Sequence, residues 1–379
     1  MKRVAEALAS PAVNEQNDTD PGFSEAIIQW QAQYGRHALP WQNTRDAYRI
    51  WVSEIMLQQT QVAAVIPYYQ RFLARFPNVV SLAAAESEEV MAHWSGLGYY
   101  SRARNLHRCA QRVVAAHGGV FPDDPALLSE LPGIGRSTAA AIAAFAYGKR
   151  AAILDGNVKR VFCRVFGIDG FPGVKLVEDA LWKRAIALLP ETGIASYTQG
   201  LMDLGATLCT RSSPGCASCP LSRRCVALAA KRVHELPVRK PKKAIPERST
   251  IMLVVSDDKH ILLEQRPDSG IWGGLLSLPE LDRMASGNQG VSLEEVFAQV
   301  VAPFGVPVSC ERLQPFSHIF THFKLHVSPY RMRIKHRVDF AGEGRHVWYA
   351  TDRLNGAPLP APIKKLLLAV FSAPDLLSN

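Results

Sequence analysis

The nine residues Leu131-Pro132-Gly133-Ile134-Gly135-Arg136-Ser137-Thr138-Ala139 constrain this chain more than any other stretch. Pro132 ends one helix, because it lacks an N–H and its ring clashes with the preceding turn. Gly133 and Gly135 permit a tight hairpin, and the alanine-rich run 138–146 starts a second helix. Glycine at both positions leaves backbone N–H groups bare at that helix's N-terminus, an anion site that a backbone phosphate can approach closely. A generic helix–turn–helix corner has the same local pattern, so the surroundings must decide between the two.

Those surroundings are helical. Apolar residues recur at helical spacing from Ser24 to about Tyr147, as in Ile50-Trp51-x-x-Glu54-Ile55-x-Leu57, and again from about Val158 to Leu208. Prolines 40, 67 and 77 and the Gly96–Gly98 and Gly118-Gly119 pairs punctuate the pattern. An all-α domain of roughly ten short helices is expected over residues 23–230, after a disordered tail at 1–22. Residues 231–248 carry Lys231, Arg232, Arg239, Lys240, Lys242, Lys243 and Arg248 against Glu235 and Glu247, with three prolines. This predicts an extended basic linker, either a solvated connector or one that tracks phosphates. Beyond Ser249 the period shifts toward two: Ile251–Val255, Ile261–Leu263 and Phe323–Val327 read as strands, Leu293–Val301 and Pro362–Phe371 as helices. An α+β domain at 249–372 and a short tail at 373–379 follow, making the protein multidomain.

The formal net charge is +9, which favours a polyanionic partner. No run of 18 apolar residues exists, and Met1–Leu8 is too short and too broken by Glu6 to be a secretory signal. A cytoplasmic protein without a membrane partner is expected. Four of the seven cysteines crowd into 17 residues as C-x6-C-x2-C-x5-C: Cys209, Cys216, Cys219 and Cys225. Four soft thiolates on one short loop suit either a structural zinc or a [4Fe–4S] cluster in a reducing compartment.

Two carboxylates stand out. Asp155, in Ile153-Leu154-Asp155-Gly156-Asn157-Val158-Lys159-Arg160, follows the hairpin by 20 residues. It reads as a helix N-cap, and a carboxylate at a helix N-terminus is also held ionised. Glu54 and Gln58 fall four residues apart in Trp51-Val52-Ser53-Glu54-Ile55-Met56-Leu57-Gln58-Gln59-Thr60-Gln61-Val62. That spacing gives one helix face, which is either solvated or a site. Beside Trp51, Ile55 and Leu57, a half-buried Glu54 would have the raised pKa of a general acid.

Together with Leu39-Pro40-Trp41 and Gly96-Leu97-Gly98-Tyr99-Tyr100-Ser101-Arg102-Ala103-Arg104, these strings resemble the helix-hairpin-helix DNA glycosylases, and most closely adenine DNA glycosylases of the MutY type. The resemblance runs from about Phe23 to the C-terminal helix. It implies an all-α helix-hairpin-helix glycosylase domain with an iron–sulfur loop at 209–225, so that a [4Fe–4S] cluster is expected on the four cysteines. It also implies that the partner is double-stranded DNA with adenine opposite 8-oxoguanine or guanine, handled by a monomeric protein of bacterial type associated with the nucleoid.

By the same resemblance Glu54 protonates the base at N7, Asp155 stabilises or traps the sugar cation, and Asn157 holds the polar network. The adenine must be flipped out of the stack. Gln59 enters the gap, Trp41 and Gln199 line the base pocket, Gln58 is counted among the substrate- and DNA-binding residues, and Tyr99 wedges beside the opposite base. Arg102, Arg104 and the Gly133–Gly135 hairpin are expected at phosphates. Ser137 stands where bifunctional relatives carry a lysine, and a hydroxyl cannot form a Schiff base; a monofunctional enzyme is implied.

In the C-terminal domain, Ser269-Gly270-Ile271-Trp272-Gly273-Gly274-Leu275 resembles the entry to a Nudix fold, but the Arg-Glu-x-x-Glu-Glu helix that holds Mg²⁺ is missing. A Nudix-like recognition module is therefore expected, not a pyrophosphatase. His318-Ile319-Phe320-Thr321-His322 resembles the loop that inspects the base opposite adenine, with Phe320, Thr321 and His322 in place of the usual Phe-Ser-His. Two other readings remain open: an endonuclease III-like glycosylase/lyase acting on oxidised pyrimidines, which Ser137 opposes, and a non-catalytic DNA-binding protein, which Glu54 and Asp155 oppose.

Overall fold

The computed structural model describes residues 20–240, 245–267, 270–281, 292–338 and 345–371. Residues 1–19 of the tail expected at 1–22, the tail expected at 373–379, residues 241–244 of the expected linker, and Ser269 lie outside the described residues, and the first helix already begins at Pro21, inside the expected tail. The helices in chain order are α1 (Pro21–Tyr34), α2 (Ala47–Leu57), α3 (Val62–Arg75), α4 (Val79–Ala83), α5 (Ser87–Trp94), α6 (Ser101–His117), α7 (Pro125–Ser129), α8 (Arg136–Tyr147), α9 (Gly156–Val165), α10 (Lys175–Ala187), α11 (Ile194–Asp203) and α12 (Val226–Ala229), followed by α13 (Leu293–Val301) and α14 (Ala361–Phe371). A π-helical turn, Leu204–Leu208, continues α11. Among the described residues no helix is long and apolar enough to cross a membrane.

The chain forms two compact units. The first joins the residues up to Ala84 with Arg108–Lys242, and it is helical. Its centre is α8, whose small side chains let neighbours close in: Ala139 to Ala144 and Ala146 are all buried, and α2 packs along it. Gly133 takes φ +79 at the hairpin, where a side chain would be strained. Gly135 caps α8 without any side-chain acceptor, so the first N–H groups stay bare as the sequence predicts. Phe23 and Ile27 of α1 bury against Phe162 and Tyr197, the Phe23 and Phe162 rings meeting edge-on at 5.9 Å.

The run expected as an extended linker begins differently. Val233 and Leu236 are buried against Ala227, and Arg232 is paired with Asp169 and Glu235. The lysines and arginines hid two apolar anchors three residues apart, so the stretch just after α12 is packed.

The second unit joins Ala85–His107 with the residues from Lys243 onward. Its eight strands, β1 (Glu247–Ser256), β2 (His260–Gln265), β3 (Leu276–Ser277), β4 (Glu280–Leu281), β5 (Val306–Arg312), β6 (Phe316–Ile319), β7 (Lys324–Lys335) and β8 (His346–Ala350), make one mixed sheet along the path β3-β2-β1-β7-β5. β1 and β7 pair in parallel from Glu247–Lys324 to Ser256–Arg333, while the other pairs are antiparallel. Buried on both faces, Ile251 to Val255 form an unbroken apolar run. Phe297 and Val301 of α13 complete that core. Within this unit Ser95 Oγ donates to the Leu359 carbonyl at 2.9 Å, and the Arg104 guanidinium donates to the Gly273 carbonyl.

Candidate active site

In the helical unit, the end of α1, α2 with the loop after it, and the starts of α8, α9 and α11 enclose a pocket of about 1530 Å³. The structure brings Trp41, Glu54, Gln58, Gln59, Ser137, Asp155, Asn157 and Gln199 to its walls. Glu54 is half-buried on α2, one turn before the helix ends at Leu57. Desolvation pushes its carboxyl up to about 8, and the negative charge of Asp155 adds to the rise. Gln58 does not extend the Glu54 face as expected. Its ψ of 112° takes the backbone out of the helix, and Gln59 follows in the left-handed region at φ +58. An exposed non-glycine residue held there stores backbone strain.

Asp155 is the N-cap of α9, as its sequence setting predicts, and accepts the Val158 N–H at 2.8 Å. Burial raises its pKa, opposed by that hydrogen bond, by the Arg160 charge and by hydrogen bonds from Asn157. Asn157 Oδ1 accepts from Arg160 Nη2 at 2.8 Å, and the same nitrogen donates to the Gly205 carbonyl at 2.6 Å. Gly205 has no room for a side chain, since an added Cβ would lie 2.5 Å from Asn157 Cβ. Ser137 Oγ accepts the Leu154 N–H at 3.0 Å, tying the hairpin helix to the residue before Asp155. Trp41 is buried and meets the Tyr69 ring edge-on at 5.4 Å, which fixes its plane.

Sequence reasoning missed Arg36 and Asp203, which sit behind Gln199. Asp203 is fully buried, and the Arg36 guanidinium approaches its Oδ1 at 2.6 Å. A lone acid four residues after Gln199 in an apolar helix was the available signal.

Cys209, Cys216, Cys219 and Cys225 line one small apolar cavity with Leu204, Leu208 and Leu221. The buried Arg164 donates to Cys209 Sγ at 3.3 Å and to the Thr210 carbonyl at 2.7 Å, so a cation already faces the thiols. Burial pushes the Cys219 thiol up to about 11, and its three companions add to the rise as they ionise. Among the described residues no three ligands close on the point a single metal ion would occupy. Four soft thiols around one cavity fit either a structural zinc or an iron–sulfur cluster.

The remaining expected residues lie in the second unit. Tyr99 is exposed at φ +48 between Gly98 (φ +70) and α6. Arg102, expected at phosphates, is instead buried: it donates to the Leu97 and Gly98 carbonyls at 3.2 Å and lies over the Trp94 and Tyr99 rings. Desolvation lowers its pKa to about 10. Arg104, expected beside it, is engaged with Gly273. Phe320, Thr321 and His322 form the β6–β7 loop, in which Phe320 packs against Trp272, His318 and Phe323 while Thr321 and His322 are exposed.

A glycine hairpin with bare amides and two carboxylates sharing one pocket fit a base-excision class. Residues 52–185 match the HhH-GPD superfamily of base excision DNA repair proteins, and residues 250–369 match the NUDIX domain. The chain is 34% identical over 346 residues to the adenine DNA glycosylase of Buchnera aphidicola (subsp. Acyrthosiphon pisum, strain APS), covering 91% of this chain and 96% of that one. It is 33% identical to the adenine DNA glycosylase of Mus musculus, covering 91% and 77%. A solved thermostable thymine-DNA glycosylase, 30% identical, superposes with a TM-score of 0.51 over 55% of this chain and 95% of its own. The chain belongs to the adenine DNA glycosylase family.

Proposed function

We propose that this protein is a monofunctional glycosylase that removes adenine from DNA where it is mispaired with 8-oxoguanine or guanine. The observation that carries this reading is the pair in one pocket: Glu54, which keeps its proton to about 8, beside Asp155. Glycosidic hydrolysis needs an acid for the leaving group and a carboxylate for the oxocarbenium-like sugar. Glu54 donates its proton to the base at N7, the C1′–N9 bond breaks with its electron pair passing to the base, and Asp155 stabilises or traps the sugar cation. Water then adds at C1′ and leaves an abasic site. Asn157 holds Asp155 from α9, and Trp41, Gln58 and Gln199 hold the flipped base.

Gln59 fills the gap left in the duplex, and its strained backbone favours a side chain projected out of the fold. The bare amides at Gly133 and Gly135 receive a backbone phosphate. Tyr99 stands at the opposite base and Phe320, Thr321 and His322 inspect it. Four cysteines, 209, 216, 219 and 225, hold a [4Fe–4S] cluster that braces the loop. Ser137 offers no amine, so the strand is left intact. A monomer acting on DNA in the bacterial cytoplasm fits this reading.

The test is a base-release assay with duplexes carrying A:8-oxoguanine, A:G and an oxidised pyrimidine. Adenine release leaving an alkali-labile but uncut strand supports the reading. Release of the pyrimidine with strand cleavage, or no release at all, contradicts it. Iron analysis of anaerobically purified protein should give about four irons per chain; stoichiometric zinc would contradict the cluster.

A further inference from the structure

Asp203 closes α11 with a carboxylate that has no solvent exposure. Arg36 surrounds it: the backbone N–H donates to Oδ2 at 2.8 Å, and Nε donates to Oδ1 at 2.7 Å. One helical turn earlier, Gln199 donates its Nε2 to the same Oδ1 at 2.8 Å. An ionised carboxylate accepts hydrogen bonds and cannot donate them, so the amide end of Gln199 that faces Asp203 must be the NH₂. The carbonyl oxygen of Gln199 is then left without a protein partner among the described residues. Gln199 and Arg36 both line the pocket that contains Glu54 and Asp155.

We propose that Asp203 is a positioning residue that sets which base the pocket accepts, by locking the Gln199 amide so that it offers an acceptor and not a donor. This rests on the reading that the flipped base occupies that pocket. Reversing the amide would set its carbonyl against a buried carboxylate and leave the NH₂ without that partner. A purine with an exocyclic amino group at C6 donates to the locked carbonyl. A purine with a carbonyl at C6, such as hypoxanthine or guanine, meets it with lone pairs and is opposed. The selectivity for an amino purine is thus held by a buried carboxylate that is not itself part of the pocket wall.

The experiment compares single-turnover release of hypoxanthine and of adenine, each opposite guanine in otherwise identical duplexes, by the full-length protein. Asp203→Asn supplies both a donor and an acceptor and frees the amide to turn, so the hypoxanthine-to-adenine ratio should rise about tenfold. Gln199→Met removes the acceptor without touching the ion pair and should raise the ratio to a similar degree. The double variant should go no further than Gln199→Met alone, because Asp203 acts only through Gln199. A folded Asp203→Asn protein with the wild-type ratio overturns the proposal, and so does a wild-type ratio in Gln199→Met. Should Asp203→Asn not fold, Gln199→Glu decides. Its side chain offers the base a carboxyl oxygen and no amide donor, so the hypoxanthine-to-adenine ratio should stay within a few-fold of the wild type's, and a ratio raised to that of Gln199→Met overturns the proposal. If Glu54→Gln abolishes release but Asp203→Asn and Gln199→Met keep the wild-type ratio, this inference alone fails. Adenine release that survives Glu54→Gln sinks the pocket reading beneath it.

Discussion

Asp155 helps Glu54 keep its proton: burial and the Asp155 charge together push Glu54 up to about 8, while the Val158 N–H at 2.8 Å and the Arg160 charge oppose the rise that burial imposes on Asp155. A proton held on Glu54 up to about 8, beside an Asp155 whose amide donors and neighbouring cation favour its charged form, defines the pH range in which the pair can act.

That range gives a pH profile. On the proposed mechanism release needs the Glu54 proton, so the rate should fall as pH rises through about 8. It also needs Asp155 ionised, and that group's pKa is raised, so the acid limb should lie above the range of an ordinary aspartate. Single-turnover rates of the full-length protein on one duplex across this span check both limbs. A rate that stays flat up to pH 10 would mean that Glu54 is not the acid.

A proton held for chemistry costs stability. Below the unfolded value of 4.5 Glu54 is neutral in both states and imposes nothing. Between 4.5 and about 8 the folded state binds a proton that the unfolded state has lost, so stability declines across that window and levels off above it. Glu54→Gln should therefore abolish release yet raise Tm by about 2–5 °C at pH 8, with little change near pH 4. Identical melting of variant and wild type at pH 8 would place the carboxyl in water.

Gly205→Ala tests how tightly the π-helical turn holds α9. The added carbon would sit 2.5 Å from Asn157 Cβ and 3.1 Å from its Cα, so the first turn of α9 must move. Asp155 and Asn157 sit on that turn, and release should drop at least about tenfold for a stability loss of about 1–3 kcal/mol. A normal rate would show that the site tolerates displacement of α9.

Thr321→Val removes an exposed hydroxyl from the β6–β7 loop without touching the Phe320 packing. 8-Oxoguanine carries a hydrogen at N7 where guanine has an acceptor. The ratio of rates on A:8-oxoguanine over A:G should fall about tenfold, with Tm unchanged. An unaltered ratio would move lesion inspection elsewhere, with Tyr99 the first residue to test.

Much of this architecture is written locally. The hairpin follows from glycine at 133 and 135, Asp155 caps α9 because an acid before Gly-Asn does so, and α13 starts and stops where the apolar spacing does. What stayed hidden is nonlocal. Arg36 and Asp203 are 167 residues apart, and no window on the sequence pairs them. Arg102 reads as a surface cation because its charge says so, yet its guanidinium finds the Leu97 and Gly98 carbonyls in the loop just before its own helix. Gln58 stood at helical spacing from Glu54, but the backbone leaves the helix there and Gln59 takes the left-handed turn. Val233 and Leu236 were masked by the charges around them.

The central claim is that Glu54 and Asp155 of one pocket carry the excision of adenine. Single-turnover release from an A:8-oxoguanine duplex by Glu54→Gln and by Asp155→Asn measures it most directly, with duplex binding followed in parallel. Both variants should bind within a few-fold of wild type and release adenine at least about a thousandfold more slowly. Near-normal release by either one would contradict the account.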